Sequence, residues 1–211
     1  MNIVFDFGAV LFTWRPAELL AERFPETAST PQLAAQLAHA VFGHVDWHSF
    51  DRGTLSMEEV VARTAQRLDL DLCALSELVE GIGEQLLPMD ASVALLTQLH
   101  ALRQDDSALR LYYLSNMPVP YARTLERLHP FLQWFEGGIF SGDVQHIKPE
   151  PAIYQLLQSR YALEPAHTVF IDDLKGNVLA AQALGWAGIH FESAPQLSAA
   201  LAALNLSQIG L

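Results

Sequence analysis

The sequence predicts an α/β fold in which a parallel sheet carries an additional group of helices inserted after its first strand. Short runs of β-branched and aromatic residues recur along the chain, and helical patterns lie between most of them. Residues 15–88, which follow the first such run, contain only helical patterns. We therefore expect a core formed by residues 1–14 and 89–211, and a small all-helical cap formed by residues 15–88.

Five short apolar runs predict the strands of the core. Each is too short for a typical helix and is rich in residues that favour strands. The runs are IVF at 3–5, LRLYYL at 109–114, GIF at 138–140, TVFI at 168–171 and GIHF at 188–191.

Helix start and stop signals define the helices of the cap. Thr30 and Pro31 form an N-cap and first-turn pair, and Gly43 ends the helix that follows. Ser56 and Glu59 form a capping-box pattern. Two further helices are predicted over 75–87 and from Asp90 onward.

The position of the insertion predicts its role. An insertion directly after the first strand lies over the carboxyl ends of the sheet, where open α/β folds bind ligands. We therefore expect the cap to act as a lid. The alternative is a structural subdomain with no role in substrate selection.

Composition restricts the function classes. Of the 211 residues, 51% are hydrophobic and 17% are charged, which argues against disorder. The net charge of −12 argues against nucleic acid or an anionic membrane as the main partner. Cys73 is the single cysteine, so no intramolecular disulfide can form. No basic leader precedes the first apolar run, and no apolar stretch approaches the ~18–20 residues of a membrane span. We expect a cytoplasmic protein, a monomer or a homodimer.

Polar and charged residues follow the ends of several predicted strands. Because the carboxyl ends of parallel strands meet at one edge of a sheet, we expect these residues to converge. Converging carboxylates repel one another, and a hard divalent cation such as Mg²⁺ relieves this repulsion. The set consists of Asp6, Ser115, Asn116, Lys148, Asp172 and Asp173.

These residue types together suit phosphoryl transfer. A carboxylate can act as the nucleophile, and Ser115 with nearby backbone amides can donate hydrogen bonds to a phosphoryl oxygen. Lys148 can pair with the nucleophilic carboxylate and with an anionic substrate. The chain has two lysines, Lys148 and Lys175, and both flank these motifs.

The candidate residues lie in four segments, which are FDFGAVL at 5–11, YLSN at 113–116, KPEPAIY at 148–154 and FIDDLKGNVLAAQALG at 170–185. In this order the segments resemble the motifs of the haloacid dehalogenase superfamily of hydrolases, in the branch with a small helical cap. A further segment, FDRGTLSMEEV, resembles the cap helices of that branch. The resemblance implies a Rossmann-like core, Mg²⁺ as cofactor and a small phosphorylated metabolite as substrate.

The resemblance implies roles for the residues that match these motifs. Asp6 would be the nucleophile that forms an aspartyl-phosphate. Mg²⁺ would be bound by Asp6, by the backbone carbonyl of Gly8 and by Asp172, with Asp173 acting directly or through water.

It also implies how the substrate would be held. Ser115 would bind the transferring phosphoryl group, and Lys148 would neutralise Asp6 and the phosphate. Asn116 would support the loop that contacts substrate, and Asn177 would orient the loop that carries the acid pair.

Gly8 departs from the family pattern, because related phosphatases usually carry a second Asp there as general acid and base. Such help is worth about 10²–10⁴ in rate. One interpretation is a phosphatase whose substrate, such as a sugar phosphate, needs little protonation of its leaving group, or which uses a cap residue or substrate group instead. A second is a metal-independent 2-haloacid dehalogenase, which the intact Asp172-Asp173 pair disfavours. A third is a non-catalytic or very slow binding or regulatory protein.

The stretch GHVDWHSFD in the cap has two interpretations. On an extended segment His44, Asp46 and His48 would share one side, as ligands of a transition metal do. Alternatively this is a polar cap loop that contacts substrate, and we include Trp47, His48 and Arg52 among the expected substrate-binding residues.

Overall fold

The computed structural model describes residues 1–105 and 108–204, and within them five parallel strands form one sheet. The strand order is β3-β2-β1-β4-β5. All five predicted strands are confirmed, with ends that differ by one residue at most. They are β1 (Asn2–Phe5), β2 (Arg110–Ser115), β3 (Gly137–Phe140), β4 (Thr168–Asp172) and β5 (Ala187–His190).

Helices occupy the chain between β1 and β2 and alternate with the later strands. In the described part of the chain, no helix combines the length and apolarity that a membrane crossing needs. The helices between β1 and β2 are α1 (Pro16–Arg23), α2 (Pro31–Phe42), α3 (Val45–Asp51), α4 (Met57–Leu68), α5 (Leu72–Gln85) and α6 (Asp90–Asp105). The later helices are α7 (Val119–Leu128), α8 (Pro151–Tyr161), α9 (Lys175–Ala183) and α10 (Ala194–Ala203).

The parallel sheet with helices confirms the predicted fold class. We call α1–α5 the cap helices. The exact domain boundaries, 1–14 with 89–211 and 15–88, stay a prediction.

The central strand β1 is buried on both faces of the sheet. Because successive side chains of a strand point to opposite faces, Ile3 and Phe5 join one apolar cluster and Val4 joins another. The cluster that contains Ile3 and Phe5 continues through Phe7 to cap residues such as Leu20. One face of the sheet and the cap helices therefore share a single hydrophobic core.

The predicted caps define the cap helices as expected. The Thr30 side chain accepts a hydrogen bond from the Leu33 amide at the start of α2. Ser56 and Glu59 form a complete capping box at the start of α4. The helix predicted over 75–87 begins earlier, at Leu72, because the Asp71 side chain caps it.

The interpretations of GHVDWHSFD as an extended segment or a loop are wrong, because the stretch forms α3. The His44 side chain caps this helix by accepting a hydrogen bond from the Asp46 amide at 3.2 Å. The His44 ring also lies 3.2 Å from the Asp46 carboxylate, so these two side chains contact each other within the cap of the helix. Among the described residues, these three do not form a metal-binding group.

The end of α3 contacts the core through two glycines. Gly53 has a φ of +76°, and a Cβ atom there would lie 2.4 Å from the carbonyl oxygen of Gly142. Glycine is needed at position 53 because a residue with a side chain disfavours this backbone conformation and because its Cβ atom would have no space. The pair therefore sets how closely the cap approaches the core.

We expect Gly53→Ala to lower the free energy of unfolding by at least about 2 kcal/mol, from backbone strain and steric overlap. Gly176→Ala in α9 is the control, because a Cβ there meets nothing within 4 Å. It should leave stability unchanged or raise it by up to about 1 kcal/mol. Urea unfolding of both variants measures this, and equal stabilities would contradict the role of Gly53.

Candidate active site

Three adjacent strands bring acidic and hydroxyl side chains to one edge of the sheet. Asp6 follows β1, Ser115 ends β2 and Asp172 ends β4, with β1 between the other two strands. The carboxylate oxygens of Asp6, Asp172 and Asp173 include one from each residue that lie within 4.8 Å of one another. The structure thus brings these four sequence-predicted residues to one place.

A buried lysine lies between two of these carboxylates. The Nζ atom of Lys148 is 2.9 Å from Oδ1 of Asp6 and 2.6 Å from Oδ2 of Asp172. The Lys148 side chain is 1% exposed, so solvent screens these ion pairs weakly. The ammonium is therefore held close to both carboxylates.

Asn116 fixes the backbone of Lys148. Its Nδ2 atom donates to the Lys148 carbonyl at 3.0 Å, and its Oδ1 atom accepts from the Lys148 amide at 2.7 Å. Asn116 also lines the cavity above the acids. It connects the loop after β2 to the loop that carries Lys148.

The Asp172 carboxylate is oriented by the first turn of α9. Oδ1 accepts a hydrogen bond from the Leu174 amide at 2.8 Å, and Asn177 Nδ2 lies 3.0 Å from both carboxylate oxygens. Asp172 is fully buried, so these donors replace the water that its charge would otherwise attract. Asn177 therefore contacts the acid cluster directly.

The charges at this edge are unbalanced. Burial raises the pKa of Asp6 to about 7 against the opposing effect of Lys148. The pKa of Asp173 is raised first by burial and then by the charge of Asp172. Burial alone would lower the pKa of Lys148, but Asp172 and Asp6 outweigh it and hold that pKa above its ordinary value. With every group ionised, three carboxylates face one ammonium.

This imbalance and the donor set fit a hard divalent cation. Three carboxylate oxygens are the ligand type that Mg²⁺ prefers, and a divalent charge offsets their mutual repulsion. Asp6, Asp172 and Asp173 could hold such an ion. Gly8 lines the same cavity, and its carbonyl stays a predicted ligand.

A cavity of about 270 Å³ opens above the acid cluster. Its charged floor includes Asp6, Lys148 and Asp173, and Ser115 lies beside them. Much of the remaining wall is apolar or aromatic and comes largely from the cap and its neighbouring segments. These residues include Trp14, Phe42, Trp47, Ile82, Leu86 and Tyr121.

The structure places two of the three cap residues that were expected to contact substrate in the cavity wall. Trp47 and His48 line the cavity. Arg52 instead forms a two-pronged ion pair with Glu150, with Nη1–Oε2 at 2.8 Å and Nη2–Oε1 at 2.5 Å. Its guanidinium therefore links the cap to the loop after Lys148 rather than lining the cavity.

Sequence reasoning missed Asp51, which lines the cavity from the last position of α3. Burial raises the pKa of its carboxyl to about 7 against the opposing effect of Lys148. The available signal was its place in the cap segment FDRGTLSMEEV. Sequence alone does not distinguish an acid that faces the core from an exposed acid at a helix end.

A more open hollow of about 370 Å³ lies between α1 and α5. Arg23 and Glu77, which line it, pair with each other. None of its lining residues belongs to the acid cluster. We therefore place the candidate active site in the smaller cavity above Asp6.

Comparison with known families agrees with this geometry. The sequence model of the haloacid dehalogenase-like hydrolase family matches residues 3–185 of this chain. The chain belongs to this family and is a hydrolase. The resemblance noted in the four motifs is thereby confirmed.

Curated relatives include an enzyme named as a phosphatase and another named as a mononucleotide hydrolase. The sesquiterpene phosphatase of Aspergillus oryzae is 25% identical over 188 residues, which cover 89% of this chain and 87% of that protein. The chloroplast flavin mononucleotide hydrolase 1 of Arabidopsis thaliana is 29% identical over 168 residues, covering 78% of this chain and 62% of that protein. These relatives support a phosphatase within the family.

Solved structures share the fold. A family enzyme of Bacteroides thetaiotaomicron, in complex with magnesium and inorganic phosphate, has a TM-score of 0.67 at 21% identity and covers 90% of this chain and 93% of its own. The L-2-haloacid dehalogenase of Xanthobacter autotrophicus has a TM-score of 0.66 at 19% identity and covers 95% of this chain and 82% of its own. The same architecture thus occurs in proteins with different names.

We expect Lys148→Met to lower the free energy of unfolding by about 3–5 kcal/mol in metal-free buffer at pH 8, because it leaves two buried carboxylates without their cation. The loss should shrink at pH 5. Burial already raises the pKa of Asp6 to about 7, and without the ammonium that pKa rises further above its unfolded value, so protonation at lower pH removes the penalty.

Lys175→Met is the matched control, because Lys175 is the other lysine of the chain and is exposed. Urea unfolding at the two pH values measures both variants. Similar losses for the two substitutions, or a Lys148→Met loss that does not depend on pH, would contradict the charge balance described above.

Proposed function

We propose that the chain is a Mg²⁺-dependent phosphatase that hydrolyses a small phosphomonoester through an aspartyl-phosphate at Asp6. The observation that carries the proposal is the buried contact of Lys148 with Asp6 and Asp172 at the floor of the cavity. The relative named as a sesquiterpene phosphatase and the relative named as a flavin mononucleotide hydrolase support the reaction class.

The contacts of Asp6 favour one of its oxygens as the nucleophile. Oδ1 accepts a hydrogen bond from the Phe7 amide at 2.7 Å and lies 2.9 Å from Lys148 Nζ. Among the described residues, Oδ2 has no such partner, so its lone pairs are available to attack phosphorus. The bond from phosphorus to the ester oxygen breaks as the bond to Oδ2 forms.

Two further side chains would stabilise the charge that develops on phosphorus. The buried hydroxyl of Ser115 has no hydrogen-bond partner within the described chain, and it lines the cavity, so it can donate to a phosphoryl oxygen. The Lys148 ammonium offsets negative charge on the phosphoryl group and on Asp6. Asn116 keeps Lys148 in place through its two backbone contacts.

When bound, Mg²⁺ would supply positive charge that offsets the charge of the phosphoryl oxygens. Asp6, Asp172 and Asp173 are the residues that would hold it, with the Gly8 carbonyl as the further ligand implied by the family. The Bacteroides neighbour that binds magnesium and phosphate has the same fold, which supports this assignment.

The cavity wall favours a substrate whose organic group is apolar. Trp14, Phe42 and Trp47 contribute aromatic surface, and His48 and Asp51 are the ionisable cap residues among the described residues that line the cavity. A sugar, which the sequence suggested, would need more hydrogen-bonding partners than this wall offers. The Aspergillus relative is named for a sesquiterpene, an apolar group of this kind. We therefore propose an apolar alkyl or terpenyl monophosphate as the substrate class.

The proposal is tested by phosphate release from a panel of monoesters in the presence of Mg²⁺. We expect turnover of a sesquiterpenyl monophosphate and of p-nitrophenyl phosphate, with kcat/KM for the terpenyl ester at least about 10-fold above that for a sugar 1-phosphate, since burial of apolar groups contributes several kcal/mol. Asp6→Asn should reduce turnover by at least about 10³-fold. The control Asp69→Asn makes the same change at an exposed acid of the cap.

Three results would contradict the proposed reaction, and a fourth would contradict the proposed substrate class. Turnover that is unchanged in Asp6→Asn would exclude Asp6 as the nucleophile. Absence of turnover on every ester would favour a binding protein. Chloride release from 2-chloropropionate without metal favours a dehalogenase. A sugar phosphate that outperforms the terpenyl ester overturns the substrate class alone.

Magnesium binding has an independent readout. At a Mg²⁺ concentration about 100 times its Kd, linkage stabilises the folded protein by about 2.7 kcal/mol, which corresponds to a rise in Tm of roughly 5–10 °C for a chain of this size. The rise should be much smaller in Asp173→Asn, which removes one ligand and is only partly buried. Thermal unfolding measures both. No rise in the wild type, or an equal rise in the variant, would contradict the assigned metal site.

A further inference from the structure

The cavity contains one acidic side chain that the mechanism above does not use. Asp51, at the end of α3, lines the cavity together with Asp6 and Gly8. Within the part of the chain that the structure describes, its carboxylate has neither a hydrogen-bond partner nor an ion-pair partner. Asp51 is half-buried, and a carboxyl group in that position without a protein partner is harder to ionise than an exposed one, so its presence calls for an explanation.

The backbone of Asp51 is attached to the loop that carries Ser115. The hydroxyl of Ser141 donates to the Asp51 carbonyl at 2.6 Å and accepts from the Met117 amide at 2.8 Å. Met117 lies two residues after Ser115 in the loop that leaves β2. One hydroxyl therefore fixes the end of α3 relative to the predicted phosphoryl-binding serine.

The neighbouring residue is attached to the loop that carries Lys148. The ion pair of Arg52 with Glu150 joins the cap to a position two residues beyond Lys148. Because Asp51 lies between this contact and the body of α3, its position relative to the acid cluster is fixed from both sides.

The missing carboxylate at position 8 is not a steric necessity. A Cβ atom on Gly8 would meet only the Cβ of Trp14 at 4.0 Å, which is ordinary van der Waals contact. A Cβ atom would therefore fit at position 8, and with glycine there the proton must be handled by another group.

We propose that Asp51 is the general acid and base of this enzyme, supplied by the cap in place of an aspartate at position 8. This proposal rests on the phosphatase function proposed above. It differs from the family pattern in taking the proton-transfer group from α3 rather than from the loop after β1.

The proton and bond changes balance over two steps. As Asp6 Oδ2 bonds to phosphorus and the ester bond breaks, the Asp51 proton moves to the departing oxygen and yields the alcohol. The Asp51 carboxylate then takes a proton from a water molecule whose oxygen attacks phosphorus. The bond from phosphorus to Asp6 breaks, and inorganic phosphate leaves.

The surroundings of Asp51 allow both protonation states near neutral pH. Burial raises its pKa to about 7 while the Lys148 ammonium opposes the rise. His48 shares the cavity with Asp51, and the charge of Asp51 adds to the burial that raises the pKa of the Tyr121 hydroxyl. On the elements that pack against α3, Arg63 pairs with Asp46 and Glu59, and Asp143 pairs with Arg123. Arg67 donates to the Ala40 carbonyl at 3.0 Å, and Glu58 is exposed to solvent.

The test compares wild type with Asp51→Asn on two esters, an alkyl phosphate with a poor leaving group and p-nitrophenyl phosphate. We expect kcat/KM for the alkyl phosphate to fall by about 10²–10⁴-fold. With p-nitrophenyl phosphate the variant should still release a rapid burst of nitrophenol close to one per enzyme, followed by slow steady-state turnover. Phosphoenzyme should accumulate, because its hydrolysis lacks the base.

Rescue distinguishes this role from a structural one. The double variant Gly8→Asp with Asp51→Asn should recover at least about 10-fold of the lost alkyl-phosphate turnover, because it restores a carboxylate at a position where a Cβ atom has no close neighbour. Asp69→Asn is the control for a cap charge and should behave as wild type. Asp51→Ser serves as a second variant if Asp51→Asn does not fold, and thermal unfolding confirms folding of each.

The assignment is overturned if the wild type is active and Asp51→Asn keeps wild-type turnover of the alkyl phosphate. It is also overturned if both esters slow equally without a burst or phosphoenzyme. Failure of the proposed function gives a different result. In that case the wild type releases no phosphate, or phosphate release is unchanged in Asp6→Asn, and the proposed role of Asp51 is overturned as well.

Discussion

The buried ion pairs of Lys148 with Asp6 and Asp172 are the constraint on which the site depends. Desolvating one ammonium and two carboxylates is costly, and the arrangement persists only because each group has fixed partners. The strand order fixes part of this arrangement, since β1 and β4 are neighbours and place Asp6 beside Asp172. Asn116 supplies another part by holding the backbone of Lys148. The remaining excess of negative charge makes the site suited to a divalent cation.

The cap changes what this charged floor can do. Because one hydrophobic core runs from the sheet face to the cap helices, the cap closes the cavity with apolar surface rather than with polar groups. A low-dielectric wall strengthens the electrostatic effect of Lys148 on any anion below it. Under the proposed function, the same wall would favour an apolar organic group on the substrate. Asp51, which has no hydrogen-bond or ion-pair partner among the described residues, would face the reaction. Substrate class and proton transfer would then both originate in the cap.

Local patterns were sufficient to predict the sheet and the convergence of Asp6 with Asp172, because apolar runs mark strands and parallel strands bring their carboxyl ends together. They were insufficient for α3, a helix of seven residues whose periodicity is too short to detect and whose N-cap is the side chain of His44. The position of Asp51 depends on the approach of Gly53 to the core, a tertiary contact that leaves no periodic signal in sequence. The apolar character of the cavity likewise appears only when helices far apart in sequence are packed together.

The central claim is that Asp6 becomes covalently phosphorylated. Rapid acid quenching of the enzyme during turnover of p-nitrophenyl phosphate, followed by peptide mass spectrometry, tests it directly. The account predicts one added phosphoryl group on the peptide that contains Asp6, lost on further incubation before quenching. A phosphoryl group on a different residue, or turnover with no phosphorylated peptide in either wild type or Asp51→Asn, would contradict it.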